Sequence, residues 1–332
     1  MLRNNYHNHG LDLLRGICGY FVAICHYQWL VKKINFYEYI SILFVEFFFI
    51  LSGFVLAPQL IKIIFEKKHI TTFFHRRWMR TIPLYLLSLL IVSIITNNIF
   101  NKDFFLYLFF LNKTLPNLLD NDYYTVAWSL AVEEYFYIIF PLFIMFFFNS
   151  DNYKKKSVLL FICLSLFIFI ISFFVDNNFF RTGTFLRIDT ILCGFLLAIF
   201  FRENKINIKY LLIGIVILGI LYINYYIFDF YKLETFYSKI FFLSILKLIA
   251  IFILLLFYKI DLGIFFTKFT KLIANQTYSI YLLHLPLIYI INSNIFSLNL
   301  LQFCIFLFFI STVVFYLFEK PILFLRPKYE NN

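Results

Sequence analysis

The sequence predicts an all-α, polytopic transmembrane helical bundle of about ten spans, with both termini cytoplasmic. Three observations lead there. Of 332 residues, 62% are hydrophobic and only 14% charged, at a mean hydropathy of +0.85, whereas a soluble domain of this size carries about 25% charged residues. Apolar runs of about 20 residues, the length a helix needs to cross the hydrocarbon layer, recur along the whole chain. The cations are also divided unevenly between alternate loops.

The expected spans are 11–31, 39–61, 82–99, 126–148, 157–175, 183–201, 209–228, 239–258, 275–293 and 298–319. The first is long enough to cross and lacks a small-residue cleavage site, so it reads as a span and not as a cleavable signal peptide. The third is short and polar at its end. Phe104–Leu111 is apolar but too short to span, which suits an interfacial or re-entrant segment. Residues 262–273 alternate Leu, Ile and Phe with Lys268 and Lys271, as in a helix lying on the membrane surface. Loop 62–81 carries Lys62, Lys67, Lys68, Arg76, Arg77 and Arg80, and therefore belongs in the cytoplasm. Counting alternate segments from that loop puts nineteen Lys and Arg on its side and seven opposite.

That asymmetry accounts for most of the formal charge of +11, so the basicity does not indicate nucleic-acid binding. No internal repeat is apparent, and residues 1–332 read as one membrane-embedded domain. The 50 Phe and 24 Tyr look like a bias towards AT-rich codons, so aromatic stripes are read as lipid-facing or packing surface. All five cysteines fall in apolar runs without a CxxC spacing; neither a disulfide framework nor a metal site is expected.

Ionisable residues inside spans are rare and mark function by default. Arg15 and His26 are eleven residues apart, which is three helical turns plus about 20°, so they share a helix face about 16 Å apart. Arg15 then lies near the cytoplasmic surface and His26 in the outer half. Glu46, Glu133, Glu134, Arg187 and Asp189 fall at similar depth on other spans, and His284 near the middle of the ninth. Arg187 and Asp189, two apart, cannot face one another on a helix and should have different partners. Lys247 has no evident role. On the cytoplasmic side, His75–Arg80 runs into Pro83. Arginine is suited to bidentate capture of phosphate, and this cluster shares a membrane face with Arg15.

The segments "LDLLRGICGYFVAICH", "EFFFILSGFVLA", Arg77-Trp78-Met79-Arg80, "WSLAVEEYFY", "RIDTILCGFLLA", "TYSIYLLHLP" and "FEKP" resemble, in order, signatures of the acyltransferase 3 family of integral-membrane O-acyltransferases. Arg15 and His26 fill its Arg-x10-His pattern. Leu13 stands where the family often has Gly, and Tyr135 where it often has Gln. The resemblance implies transfer of an acyl group, most often acetyl, from cytoplasmic acyl-CoA to a hydroxyl of a glycan or lipid-linked saccharide at a bacterial inner membrane. Acetyl-CoA would be the donor, with no metal required.

On this view CoA phosphates sit on Arg15, Arg77 and Arg80. His26 is the general base, with an acyl-histidine intermediate as an open alternative. Glu133 or Glu134 orients the imidazole, and Arg187 holds an acceptor hydroxyl or the developing oxyanion. Ser52–Gly53 permits close helix approach or leaves space for the thioester path, and Glu46, Asp189, Tyr281 and His284 support the site. Some family members carry an extracytoplasmic hydrolase-like domain. None is recognised in this sequence, so the bundle is expected to meet the acceptor itself. The competing function class is a proton-coupled transporter or flippase for a lipid-linked or anionic solute, since intramembrane His, Glu, Asp and Arg also build proton relays. Against it stand the absence of an inverted repeat and of paired Gly/Pro-broken helices.

Overall fold

Among the described residues, ten helices of 14 or more residues succeed one another and overlap the segments expected to span. The computed structural model describes residues 8–202, 207–232, 235–260, 264–293 and 297–329. In order, the helices are α1 (His9–Leu30), α2 (Asn35–Phe65), α3 (His69–Ile95), α4 (Lys102–Leu108), α5 (Ala127–Phe147), α6 (Tyr153–Ile171), α7 (Asn177–Thr182), α8 (Ile188–Phe201), α9 (Ile208–Ile227), α10 (Phe236–Lys259), α11 (Ile264–Asn292), α12 (Leu300–Val314) and α13 (Lys320–Phe324). A π-helical stretch, Phe315–Glu319, joins the last two. Among the described residues there is no strand.

Seven of these helical stretches are long and apolar enough to cross a membrane: α2, α3, α5, Thr184–Phe201, α9, α10 and Leu300–Phe324. The chain is thus a multi-pass membrane protein. Helices α1, α6 and α11 are of comparable length, at 22, 19 and 29 residues. They are more polar because α1 carries Asp12 and Arg15, α6 begins with Lys154–Lys156, and α11 carries Lys268, Lys271, Asn275 and Gln276.

Two boundaries differ from expectation. The cationic loop 62–81 is largely helical: α3 begins at His69 and carries Arg76, Arg77 and Arg80 on its first three turns. No Gly or Pro interrupts 69–82, and cations at the wet end of a helix cost little. Likewise 262–273 is not a separate surface helix. From Ile264 it continues without a break into α11, since neither Gly nor Pro occurs before Pro286; residues 261–263 lie outside the described residues.

Helix α2 is the hub, packing against α1, α8, α10, α5 and α3, while α1 lies along α11. The α2–α8 crossing is closed by two glycines. A Cβ on Gly53 would fall on the Ile191 carbonyl oxygen, and one on Gly194 on the Ile50 carbonyl. Hydrogen atoms there let two backbones touch. Helix α9, by contrast, exposes Ile213, Val216, Ile217 and Ile220, the apolar exterior expected of a lipid-facing helix.

Candidate active site

A pocket of about 210 Å³ opens between α1, α2, α3, α5 and α11. One end is cationic. Arg15, Arg77, Arg80 and Arg326 all line it, so the three arginines singled out from the sequence do come together. Arg77 and Arg80 project from α3 three residues apart and hence on one face. Arg77 donates to the Gln59 amide oxygen at 3.0 Å, and Arg15 stands 3.8 Å from Asp12 one turn earlier on α1. Arg80 makes no hydrogen bond or ion pair with any described residue. Arg326, beyond α13, has its pKa pushed down to about 10 by burial and by the like charges of Arg80, Arg76 and Arg77. Crowded guanidinium groups with few carboxylates are a ready site for a polyphosphate.

Deeper in, the lining turns to hydroxyl and carboxylate groups. Ser52 donates to Glu133 Oε1 at 2.6 Å, and the Tyr137 hydroxyl to Glu133 Oε2 at 2.8 Å. At the far end the Tyr281 hydroxyl and Ser129 Oγ are 2.6 Å apart. The Tyr281 ring also packs at a steep angle against Phe48, at 77°, and against His284, at 68°.

His26 is not part of the pocket lining and is reached from Tyr281 through His284. Its Nδ1 is 2.8 Å from His284 Nε2, the two rings lying at 28° with centroids 5.1 Å apart. The pairing follows from parallel packing: Gly16 meets Ile273, Gly19 meets Thr277, and the same register brings residue 26 to residue 284. The other nitrogen of His284, Nδ1, lies 3.1 Å from the Ile280 carbonyl one turn earlier. His26 is half-buried and His284 fully buried.

Several expected partnerships are replaced by others. Neither Glu133 nor Glu134 bonds His26: Glu133 is held by Ser52 and Tyr137, and Glu134 stands against Thr81. Helix α5 turns both carboxyls towards α2 and α3, while His26 faces α11. Arg187 does not reach the pocket. At the junction of a 3₁₀ turn and α8, it is fully enclosed and bonded to Glu46. Asp189 pairs with Lys247, which supplies the role that lysine lacked. As the two-residue spacing required, Arg187 and Asp189 have separate partners.

Sequence reasoning passed over Gln59, Ser129, Tyr137 and Arg326. Ser129 and Tyr137 lie in "WSLAVEEYFY" at positions four before and four after Glu133, one helical turn to either side. That periodicity was the available signal. Gln59 and Arg326 carry none, because only the fold sets Gln59 against Arg77 and brings Arg326, beyond α13, to the pocket.

A family model described as the acyltransferase domain of the acyltransferase 3 type matches residues 8–319. Among curated proteins, O-acetyltransferase OatA of Staphylococcus aureus, from strains NCTC 8325, COL and MRSA252, is 27% identical over 320 residues. That alignment takes in 86% of this chain and 51% of OatA, so the chain spans about half the length of these relatives. No solved structure matches. With the arginine-lined pocket, the His26–His284 pair and the family match over nearly its whole length, the chain belongs to the acyltransferase 3 family of membrane acyltransferases.

Proposed function

We propose that this protein is a membrane O-acyltransferase that moves an acetyl or other acyl group from cytoplasmic acyl-CoA to a glycan hydroxyl, with His26 as general base. The acceptor class is a surface saccharide such as O-antigen, capsule or exopolysaccharide. The bundle crosses a bacterial inner membrane ten times with both termini inside, so residues 1–332 form one catalytic unit. One observation carries the reading: a single pocket runs from four arginines to Tyr281, whose ring abuts the partner of His26.

In this reading Arg15, Arg77, Arg80 and Arg326 hold the CoA phosphates, and the pantetheine arm extends along α1. That arm is comparable in length with the rise of about 16 Å between residues 15 and 26. Ser52 and Glu133 flank its path. For the thioester to meet His26, the Tyr281–Ser129 contact must open. The imidazole nitrogen not engaged by His284 then takes the acceptor hydroxyl proton as the oxygen attacks the thioester carbonyl. Collapse of the tetrahedral adduct breaks the carbon–sulfur bond, and the departing thiolate recovers the proton from His26.

The test uses protein purified into lipid nanodiscs with radiolabelled acetyl-CoA and surface-glycan extract. Wild-type protein should release free thiol and label the glycan. His26→Ala should abolish both while leaving the helical signal intact. Full labelling by His26→Ala overturns the base assignment; solute movement without thiol release by the wild type would overturn the acyltransferase reading.

A further inference from the structure

We propose that His284 is a positioning residue that fixes the tautomer of His26 and thereby selects Nε2 of His26 as the basic nitrogen. The inference rests on reading His26 as the base and adds to it the group that aims it.

A carbonyl oxygen only accepts hydrogen bonds. His284 Nδ1, 3.1 Å from the Ile280 carbonyl, therefore carries a hydrogen. A second proton on Nε2 would make a cation of a fully enclosed ring that contacts no carboxylate among the described residues. His284 is thus neutral, and its Nε2 presents a lone pair. That lone pair lies 2.8 Å from His26 Nδ1, which can satisfy it only by donating. A neutral imidazole has one ring proton. With that proton on Nδ1, Nε2 of His26 is left bare.

The rest of the surroundings agree. His26 Nε2 bonds no described residue, and the residue is only half-buried. The anchor lies within one helix: Ile280 and His284 are four residues apart on α11, so the backbone that places the ring also supplies its acceptor. Tyr281, pinned by Ser129, stands edge-on to His284 at 68° and restricts its rotation. Arg181 of α7, a charged group acting on His26, contributes no acceptor.

The chain carbonyl–His284–His26 therefore occupies the place that a carboxylate takes in a hydrolase triad, with a neutral second histidine in its stead. When Nε2 of His26 gains the acceptor proton, Nδ1–H continues to donate to His284, whose neutral ring stabilises the imidazolium as its hydrogen-bond acceptor. The proton leaves from Nε2 to the CoA sulfur. His284 takes part in no bond making or breaking with substrate.

The experiment compares wild type with His284→Leu, which offers no acceptor, and His284→Gln, whose amide oxygen can accept from Nδ1–H. Acetyl transfer to glycan extract is measured in nanodiscs over a range of acetyl-CoA concentrations. Loss of the group that fixes a catalytic tautomer in a triad costs about 10⁴-fold in turnover. His284→Leu should accordingly lower kcat by about 100-fold or more with the KM for acetyl-CoA unchanged, and His284→Gln should recover at least about tenfold of that loss. Ring nitrogen spectra of ¹⁵N-histidine protein should show His26 protonated at Nδ1 in the wild type and a mixture of tautomers in His284→Leu.

A kcat for His284→Leu within about twofold of wild type, or a wild-type spectrum with the proton on Nε2, overturns the inference. The spectrum does not depend on turnover, so it separates this inference from the function it rests on. Active His26→Ala protein with Nδ1–H in the wild-type spectrum would refute the base role alone.

Discussion

Replacing Arg187 by methionine should destabilise the fold by about 3–5 kcal/mol, the usual consequence of leaving a buried charge without its partner. Arg187 and Glu46 have no exposed surface, and they meet across the α2–α8 crossing that Gly53 and Gly194 bring into backbone contact. Glu46 Oε2 and Arg187 Nε and Nη1 find no other hydrogen bond, so each charge relies on the other for its solvation. Glu46→Leu alone should be equally damaging, because it strands the guanidinium. The double variant should regain most of the loss, since buried ion pairs are often replaceable by apolar side chains of similar volume. The assay is thermal denaturation in one detergent, followed by helical signal and by recovery of monodisperse protein, arranged as a double-mutant cycle. A loss of this size is a large fraction of the stability of an ordinary domain, so it should be plain in both readouts. If Arg187→Met unfolds like wild type yet transfers no acetyl group, the pairing argument is refuted and Arg187 serves the substrate.

Two further outcomes are expected. Arg80→Ala should raise the KM for acetyl-CoA about tenfold or more, as a charge-assisted hydrogen bond of about 1.5–3 kcal/mol is lost; unchanged affinity for CoA by calorimetry would make Arg80 a topological anchor only. Gly53→Ala drives a methyl group onto the Ile191 carbonyl and should cost about 1–3 kcal/mol through overpacking, read as a lower thermal midpoint, whereas Gly219→Ala, which has open space around it, should not.

The helices were legible because hydropathy over a membrane's width is a local property, and α5 departs from its expected span by one residue at each end. The misread stretches, 69–81 and 264–273, were segments whose cations masked an uninterrupted helical backbone. Within the site, the sequence identified the ionisable residues but not who faces whom. His26 meets His284 across 258 positions, and Arg187 meets Glu46 across 141. Such pairings depend on the rotation and axial shift of one helix against another, which no single segment encodes. The Arg15–His26 stripe could be seen because both lie on one helix. The expected bond from Glu133 or Glu134 to His26 failed for the same reason, since it required knowing which way α5 is turned relative to α1.

The contact between Tyr281 and Ser129 has a bearing on the cell as well as on the reaction. A conduit open from the arginine end to the far surface would let protons and small ions run down their gradient across the bilayer. On the proposed reading, the Tyr281 hydroxyl 2.6 Å from Ser129 Oγ stands between the pocket and His26, and it should keep that route shut to ions until substrate displaces it. A donor and an acceptor arriving from opposite compartments, as proposed, would then fill the route themselves while it is open.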